Sequence, residues 1–182
     1  MNDLKVSRYI SYILRHHPED INLKMDVEGW VQVDELISGI NHKKKINITR
    51  EDLDRIVKND EKGRYVYTGN KEFIRACQGH SIDGLKITFE KRMPPDILYH
   101  GTSSEYYNLI KKEGIKSQTR QYVHLSQDVE TARNVGKRHG YPVIILIDAK
   151  KMYEDGEIFY ISENGVWLTS FVESKYFIKT IN

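Results

Sequence analysis

Apolar residues recur at Val6, Ile10, Ile13 and Leu14, the three- and four-residue spacing of one helical face. A helix is therefore expected over 3–17, stopped by Pro18. Asp26-Val27-Glu28-Gly29-Trp30-Val31 reads as a turn running into a short extended piece. From Val33 to Ile40 the pattern predicts a short helix with Leu36, Ile37 and Ile40 inward. Thr49 is a hydroxyl N-cap followed by Glu51 and Asp52 in the first turn. Leu53, Ile56 and Val57 give that third helix its apolar face. Arg64-Tyr65-Val66-Tyr67 and Phe73-Ile74-Arg75-Ala76 alternate about Thr68-Gly69-Asn70-Lys71, the pattern of a hairpin. Helix, helix, helix, hairpin is the order of a winged-helix unit, a fold that binds nucleic acid in some proteins and only protein in others.

The pattern changes after Lys91-Arg92-Met93-Pro94-Pro95-Asp96, where two prolines resist both helix and central strand. A boundary is expected after Arg92, giving lobes 1–92 and 93–182. Strands are expected at Ile97–His100, Val123–Leu125, the strongly apolar Val143–Ile147, Glu157–Ile161, Val166–Leu168 and Lys175–Lys179. Helices are expected at Glu105–Glu113, ended by Gly114, and at Val129–His139. Strands outnumber helices, so the second lobe reads as α+β with a curved, mostly antiparallel core.

Composition narrows the function classes. The chain has 182 residues, 30% charged and 39% hydrophobic, with no apolar run long enough to span a bilayer and no signal-type segment at its start. Cys77 is the sole cysteine, so no intramolecular disulfide or cysteine metal cluster forms, and a reducing, cytoplasmic setting is expected. A net charge of only +2 does not announce nucleic acid; a bound anion requires cations gathered locally. No P-loop, GxGxxG or HExxH motif is present. Phosphoryl transfer from ATP, Rossmann-type hydride chemistry and zinc proteolysis thus lack their usual devices.

Cations do cluster in the first half. Leu14-Arg15-His16-His17-Pro18 ends the first helix, and Arg64 opens the hairpin. Arg75, Gln78, His80 and Ser81 follow, with Gly79 free to turn the backbone. Arginine suits phosphate because its planar fork donates two parallel hydrogen bonds and keeps its charge. Each of these residues alone also reads as a surface cation, favourable at a helix C-terminus. In the second half, Tyr99-His100-Gly101-Thr102 places a histidine at a strand end, with Gly101 allowing close approach of a ligand. Arg120 lies four residues before His124, and Thr102 and Ser126 supply hydroxyls. His100 alone would read as a buried, hydrogen-bonded histidine; the company of Gly101-Thr102 and His124-Leu125-Ser126 points to a ligand site. Trp167, in Asn164-Gly165-Val166-Trp167-Leu168-Thr169, reads as core.

These segments, in order, resemble the NAD-dependent RNA 2′-phosphotransferase family over essentially the whole chain. Gly29-Trp30-Val31, Arg64-Tyr65 and Val135-Gly136-Lys137-Arg138 contribute to the likeness. The resemblance implies a winged-helix RNA-binding lobe followed by an ADP-ribosyltransferase-like α+β lobe. It implies NAD as a consumed co-substrate, no metal, and 2′-phosphorylated, tRNA-like RNA as the partner, with no membrane and a monomeric chain. The implied chemistry has two steps. The RNA 2′-phosphate displaces nicotinamide from the ribose; the neighbouring 2″-hydroxyl then attacks that phosphate, releasing 2′-hydroxyl RNA and ADP-ribose 1″,2″-cyclic phosphate. By resemblance the essential set is Arg15, His16, Arg64 and Arg120. His100, Gly101, Thr102, His124 and Ser126 would hold NAD, and Arg75, Gln78, His80 and Ser81 would join Arg15, His16 and Arg64 around the RNA phosphate. A histidine, with an ordinary pKa of about 6.5, suits delivery of a proton to the departing RNA oxygen.

Two other readings compete. The same fold in related lobes leaves a stable ADP-ribose on a protein or a terminal nucleic-acid phosphate. A protein-modifying enzyme of that kind generally uses a glutamate, and Glu163 and Glu173 lie in the relevant half. A non-catalytic winged-helix regulator explains the first 90 or so residues and leaves the second lobe without a role.

Overall fold

The computed structural model describes residues 2–182, apart from the side chain of His139. The chain divides into two compact units, 1–88 and 89–182, slightly ahead of the expected boundary after Arg92.

In the first unit α1 (Asp3–Arg15) begins where the Asn2 side chain accepts from the Lys5 N–H, 3.2 Å away. It ends at His16, whose backbone has left the helical region two residues before Pro18. A 3₁₀ turn (Pro18–Ile21) leads to β1 (Val31–Gln32), then α2 (Val33–Lys44) and α3 (Arg50–Lys58). Strands β2 (Tyr65–Tyr67) and β3 (Phe73–Ala76) form the hairpin, and β1 joins it in the antiparallel order β1-β3-β2, with Val31 opposite Ile74. Ile10, Ile13 and Leu14 of α1 pack with Leu36 and Ile40 of α2, Leu53 and Ile56 of α3, and Ile74. The helix expected to end at Ile40 continues through Lys44 and closes at Lys45 in the left-handed region. Its last turn, Asn41-His42-Lys43-Lys44, carries no apolar signal. Asn41 secures it through its side chain, which donates to the Ile48 carbonyl (2.9 Å) and accepts from the Ile48 N–H (2.8 Å).

The second unit opens with β4 (Glu90–Lys91), which pairs with β9 (Tyr160–Ile161) and therefore occupies part of the stretch read as linker. Then come β5 (Ile97–Ser103), α4 (Ser104–Glu113), β6 (Ile115–Lys116), β7 (Val123–Leu125), α5 (Val129–Gly136) and a 3₁₀ turn (Lys137–His139). Next are β8 (Pro142–Asp148), α6 (Ala149–Glu154), β10 (Trp167–Thr169), β11 (Phe171–Val172), a 3₁₀ turn (Ser174–Tyr176) and β12 (Phe177–Ile181). The strands form sheets in the orders β12-β8-β5, β4-β9-β10-β7 and β11-β6, every pairing antiparallel. The α+β class follows.

Strand β8 reads as continuously apolar because both of its faces are covered. Ile145 and Ile147 join Leu98, Leu125, Phe159 and Trp167 on one side, while Ile144 and Leu146 pack with Ala132 of α5 on the other. Two elements near the end of the chain depart from the expected pattern. Helix α6 is one short turn capped by Asp148, whose carboxylate accepts from the Lys151 N–H at 2.9 Å. The last strand begins two residues later than expected because Ser174–Tyr176 forms a 3₁₀ turn. Among the described residues no helix is long and apolar enough to cross a membrane.

Candidate functional site

The C-terminus of α1 supports the first cluster. There Arg15 is the last helical residue and His16 the cap, so both leave the helix where its carbonyl end favours cations. The segment after β3 comes back to meet them. The Ser81 N–H donates to the Arg15 carbonyl (3.0 Å), and Ser81 Oγ lies 2.8 Å from His16 Nδ1. Gly79 has a positive φ of 90°, and a Cβ there would lie 3.6 Å from the Arg15 guanidinium carbon. The glycine is required for its backbone conformation, and it lets the guanidinium lie along the turn.

Behind these residues lie two that contact solvent little. His80 is 2% exposed, and no hydrogen-bond partner meets its Nε2. Burial pushes its pKa down to about 3, with the charges of Arg15, His16 and Arg75 adding to the effect, so the ring is neutral. Arg75, on β3, is 8% exposed; its guanidinium lies 4.5 Å from the Trp30 ring centroid and donates to the Glu28 carbonyl at 3.2 Å. Arg64 precedes β2 and is held by Asp60, which accepts from its backbone N–H at 2.5 Å and from its guanidinium. The Asp60 carboxylate is 3% exposed. Gln78 is half-buried in the turn between Cys77 and Gly79.

The structure thus gathers Arg15, His16, Gly79, His80 and Ser81, with Arg75 beneath. Asp60 was not singled out from the sequence. It is one of many acids in the chain, and only the turn before β2 shows that it fixes an arginine.

In the second unit β5 and β7 are bridged by a reciprocal backbone pair, Tyr99 N–H to Ser126 carbonyl (2.9 Å) and Ser126 N–H to Tyr99 carbonyl (2.8 Å). That bridge brings Tyr99-His100 beside His124-Leu125-Ser126, two segments far apart along the chain. His100 Nδ1 lies 3.2 Å from the His124 carbonyl. A carbonyl only accepts, so Nδ1 carries the proton and Nε2 is the acceptor in the neutral ring. Burial holds the His100 pKa below its ordinary range; the His124 carbonyl opposes the shift and the charge of Arg120 adds to it. Arg120 itself is pulled down by its crowded surroundings and by the charge of Arg138.

The charges of Arg120 and Arg138 thus act on one another, and that of Arg120 acts on His100. The Lys137-Arg138 run was visible in the sequence, but nothing local tied it to Arg120. Thr102 is 6% exposed. Gly101 is also required by packing: a Cβ there would fall 1.7 Å from the Ala132 carbonyl oxygen. Its missing side chain makes room for α5. Trp167 is core, 3% exposed and edge-on to Phe159 at 6.5 Å. Among the described residues no three His, Cys, Asp or Glu side chains group as a metal site.

Known proteins resemble the chain closely. Residues 1–171 match the model of the RNA 2′-phosphotransferase, Tpt1 / KptA family. A probable RNA 2′-phosphotransferase of Fusobacterium nucleatum is 51% identical over 176 residues, covering 96% of this chain and 97% of its own. One from Flavobacterium johnsoniae is 46% identical over 171 residues, covering 94% and 93%. The RNA 2′-phosphotransferase of Escherichia coli K12 is 45% identical over 170 residues, covering 93% and 92%.

Proposed function

The chain belongs to the RNA 2′-phosphotransferase, Tpt1 / KptA family, transferases named for an RNA 2′-phosphate, and on that premise we propose that it passes the phosphate to NAD. The observation that carries the proposal is the Arg15-His16-Ser81 arrangement, an arginine and a histidine at a helix end with the histidine ring oriented by a hydroxyl. We read the first unit as a winged-helix lobe that binds 2′-phosphorylated, tRNA-like RNA, supported by its helices followed by an antiparallel hairpin. We read the second as an ADP-ribosyltransferase-like lobe. To a dinucleotide we assign the Arg120 guanidinium for a pyrophosphate and His100, whose Nδ1 is turned to the His124 carbonyl, as an Nε2 acceptor for a ribose hydroxyl. His124, Ser126 and Thr102 complete that side, with Gly101 shaping the strand beneath it.

Arg15 and Arg64 clamp the RNA phosphate, which is already anionic and needs positioning more than a base. It displaces nicotinamide from the ribose carbon, so the RNA is left joined to ADP-ribose through its phosphate. The ribose 2″-hydroxyl next attacks phosphorus, and the bond to the RNA 2′-oxygen breaks. His16, fixed through Nδ1 by Ser81, delivers the proton that this oxygen needs, and Arg120 offsets charge in the transition state. Arg75 and His80 are enclosed, so we assign them support of the Arg15–Ser81 turn, with Gln78 at its edge. The products are 2′-hydroxyl RNA, nicotinamide and ADP-ribose 1″,2″-cyclic phosphate.

The test is product analysis after incubation with NAD and a 2′-phosphorylated RNA. Cyclic phosphate and 2′-hydroxyl RNA are expected. A stable ADP-ribosyl adduct on wild-type product would move the chain to the adduct-forming class, and unconsumed NAD would overturn the proposal.

A further inference from the structure

A column of rings runs along α1 away from His16. His17 and Tyr12 are stacked with centroids 4.6 Å apart and 28° between planes, and Tyr9 continues the column 6.1 Å beyond Tyr12. Lys44, from the last turn of α2, closes its far end with Nζ 3.8 Å from the Tyr9 centroid. Tyr9 is tied into the fold: it packs against the core and its hydroxyl donates to Asp20 at 2.5 Å, an acid that also pairs with Lys43 at 2.7 Å. The rest of the column is more open, though Glu19 holds the His17 ring, with Oε1 2.8 Å from Nδ1. Tyr12 is 42% exposed and the His17 side chain 47%. An exposed aromatic pair held by ring stacking, with lysines beyond Tyr9 at the far end of the column, has the composition of a single-strand nucleic-acid track, where bases stack and cations follow the backbone.

The column also starts beside the reacting residues. The His16 and His17 rings are 6.5 Å apart and belong to successive residues at the helix end. We propose that the Tyr12–His17 stack is a platform for the base of a nucleotide adjoining the 2′-phosphorylated one, with Lys44 and Lys43 meeting the phosphates beyond it. The proposal rests on RNA being the substrate held at Arg15 and His16. It adds a reason for the enzyme to prefer RNA extended past the modified residue, and it assigns that preference to α1 and α2 alone. The Lys43–Asp20 pair does not cancel the cationic end, because Lys44 and Lys45 are exposed beside it.

The test compares two 2′-phosphorylated substrates, one an RNA extended on both sides of the modified nucleotide and one the modified nucleotide alone, on wild type, Tyr12→Ala, Tyr12→Phe and Lys44→Glu. For the extended RNA, Tyr12→Ala should raise KM by about 5- to 150-fold, the range for losing one stacked base, with kcat little changed. For the single nucleotide, which has no adjoining base, wild type and Tyr12→Ala should coincide. Tyr12→Phe keeps the ring and should behave as wild type on both, which a loss of fold would not produce. Lys44→Glu should weaken binding of the extended RNA and reduce its salt slope by about one. Equal KM changes for both substrates, or none, would overturn the platform. If wild type turns over neither substrate, the catalytic reading fails, and direct binding still decides: equal affinity of wild type and Tyr12→Ala for the extended RNA rejects the platform.

Discussion

At the scale of single residues, the buried His80 and the capping His16 take opposite parts. His80 accepts a proton near pH 3 when folded, while in the unfolded chain it accepts one near 6.5. Below pH 6.5 protons therefore favour the unfolded state. Stability is full above 6.5 and falls as pH drops toward 3, with this group adding up to about 1.4 kcal/mol per pH unit. Urea unfolding at pH 7 and pH 5 should show that loss in wild type and a flatter dependence in His80→Gln; an unchanged slope would show that other groups carry it. For His16→Ala the first step needs no proton transfer from the ring, so the RNA joined to ADP-ribose should accumulate. Rapid-quench product analysis checks this, and unimpaired cyclic-phosphate release would remove His16 from the proton-transfer role. Asp60, nearly fully enclosed, is the residue on which the placement of Arg64 depends.

At the scale of elements, two local features carry measurable stability. Thr49 caps α3 with a reciprocal box: its side chain accepts from the Asp52 N–H, and the Asp52 carboxylate accepts from the Thr49 N–H at 3.0 Å. Thr49→Ala should cost about 1 kcal/mol in chemical denaturation without altering product formation. Gly101 is more demanding, since an added methyl group would overlap the main chain of Ala132 and only a shift of α5 relieves it. Gly101→Ala should destabilise by about 3 kcal/mol or more, the upper range of overpacking. A change below 1 kcal/mol would mean that α5 moves with little resistance. Gly136 on α5 faces the same strand, its absent Cβ 2.6 Å from the Thr102 carbonyl oxygen. The β5–α5 contact is therefore built from small residues on both sides.

At the scale of the whole molecule, each unit has a core of its own, from α1, α2, α3 and β3 in the first and from β5, β8, β7 and β10 in the second. A fragment of residues 1–88 should accordingly melt cooperatively by circular dichroism; a gradual, non-cooperative loss of signal would show that its core is incomplete.

The sequence alone determined a great deal here. Amphipathic spacing marked α1 and α3, alternation marked the β2–β3 hairpin, and a solid apolar run marked β8, because burial imposes a period wherever an element has one dry face or two. Short motifs, Arg15-His16, Arg64 and Tyr99-His100-Gly101-Thr102 among them, carried the resemblance to the family. Elements with no buried stripe of their own were silent. The last turn of α2 depends on Asn41 reaching Ile48, α6 is a single capped turn, and β4 is two exposed residues recruited by β9. Within the site, only the fold decided which polar residues meet. Ser81, brought back from beyond β3, orients His16, and the turn before β2 lets Asp60 fix Arg64. It also decided that Gly101 serves α5, and that His80 and Arg75 are enclosed. A backbone position without a side chain, or a charge withdrawn from water, takes its meaning from what packs against it, and that partner lies elsewhere in the chain.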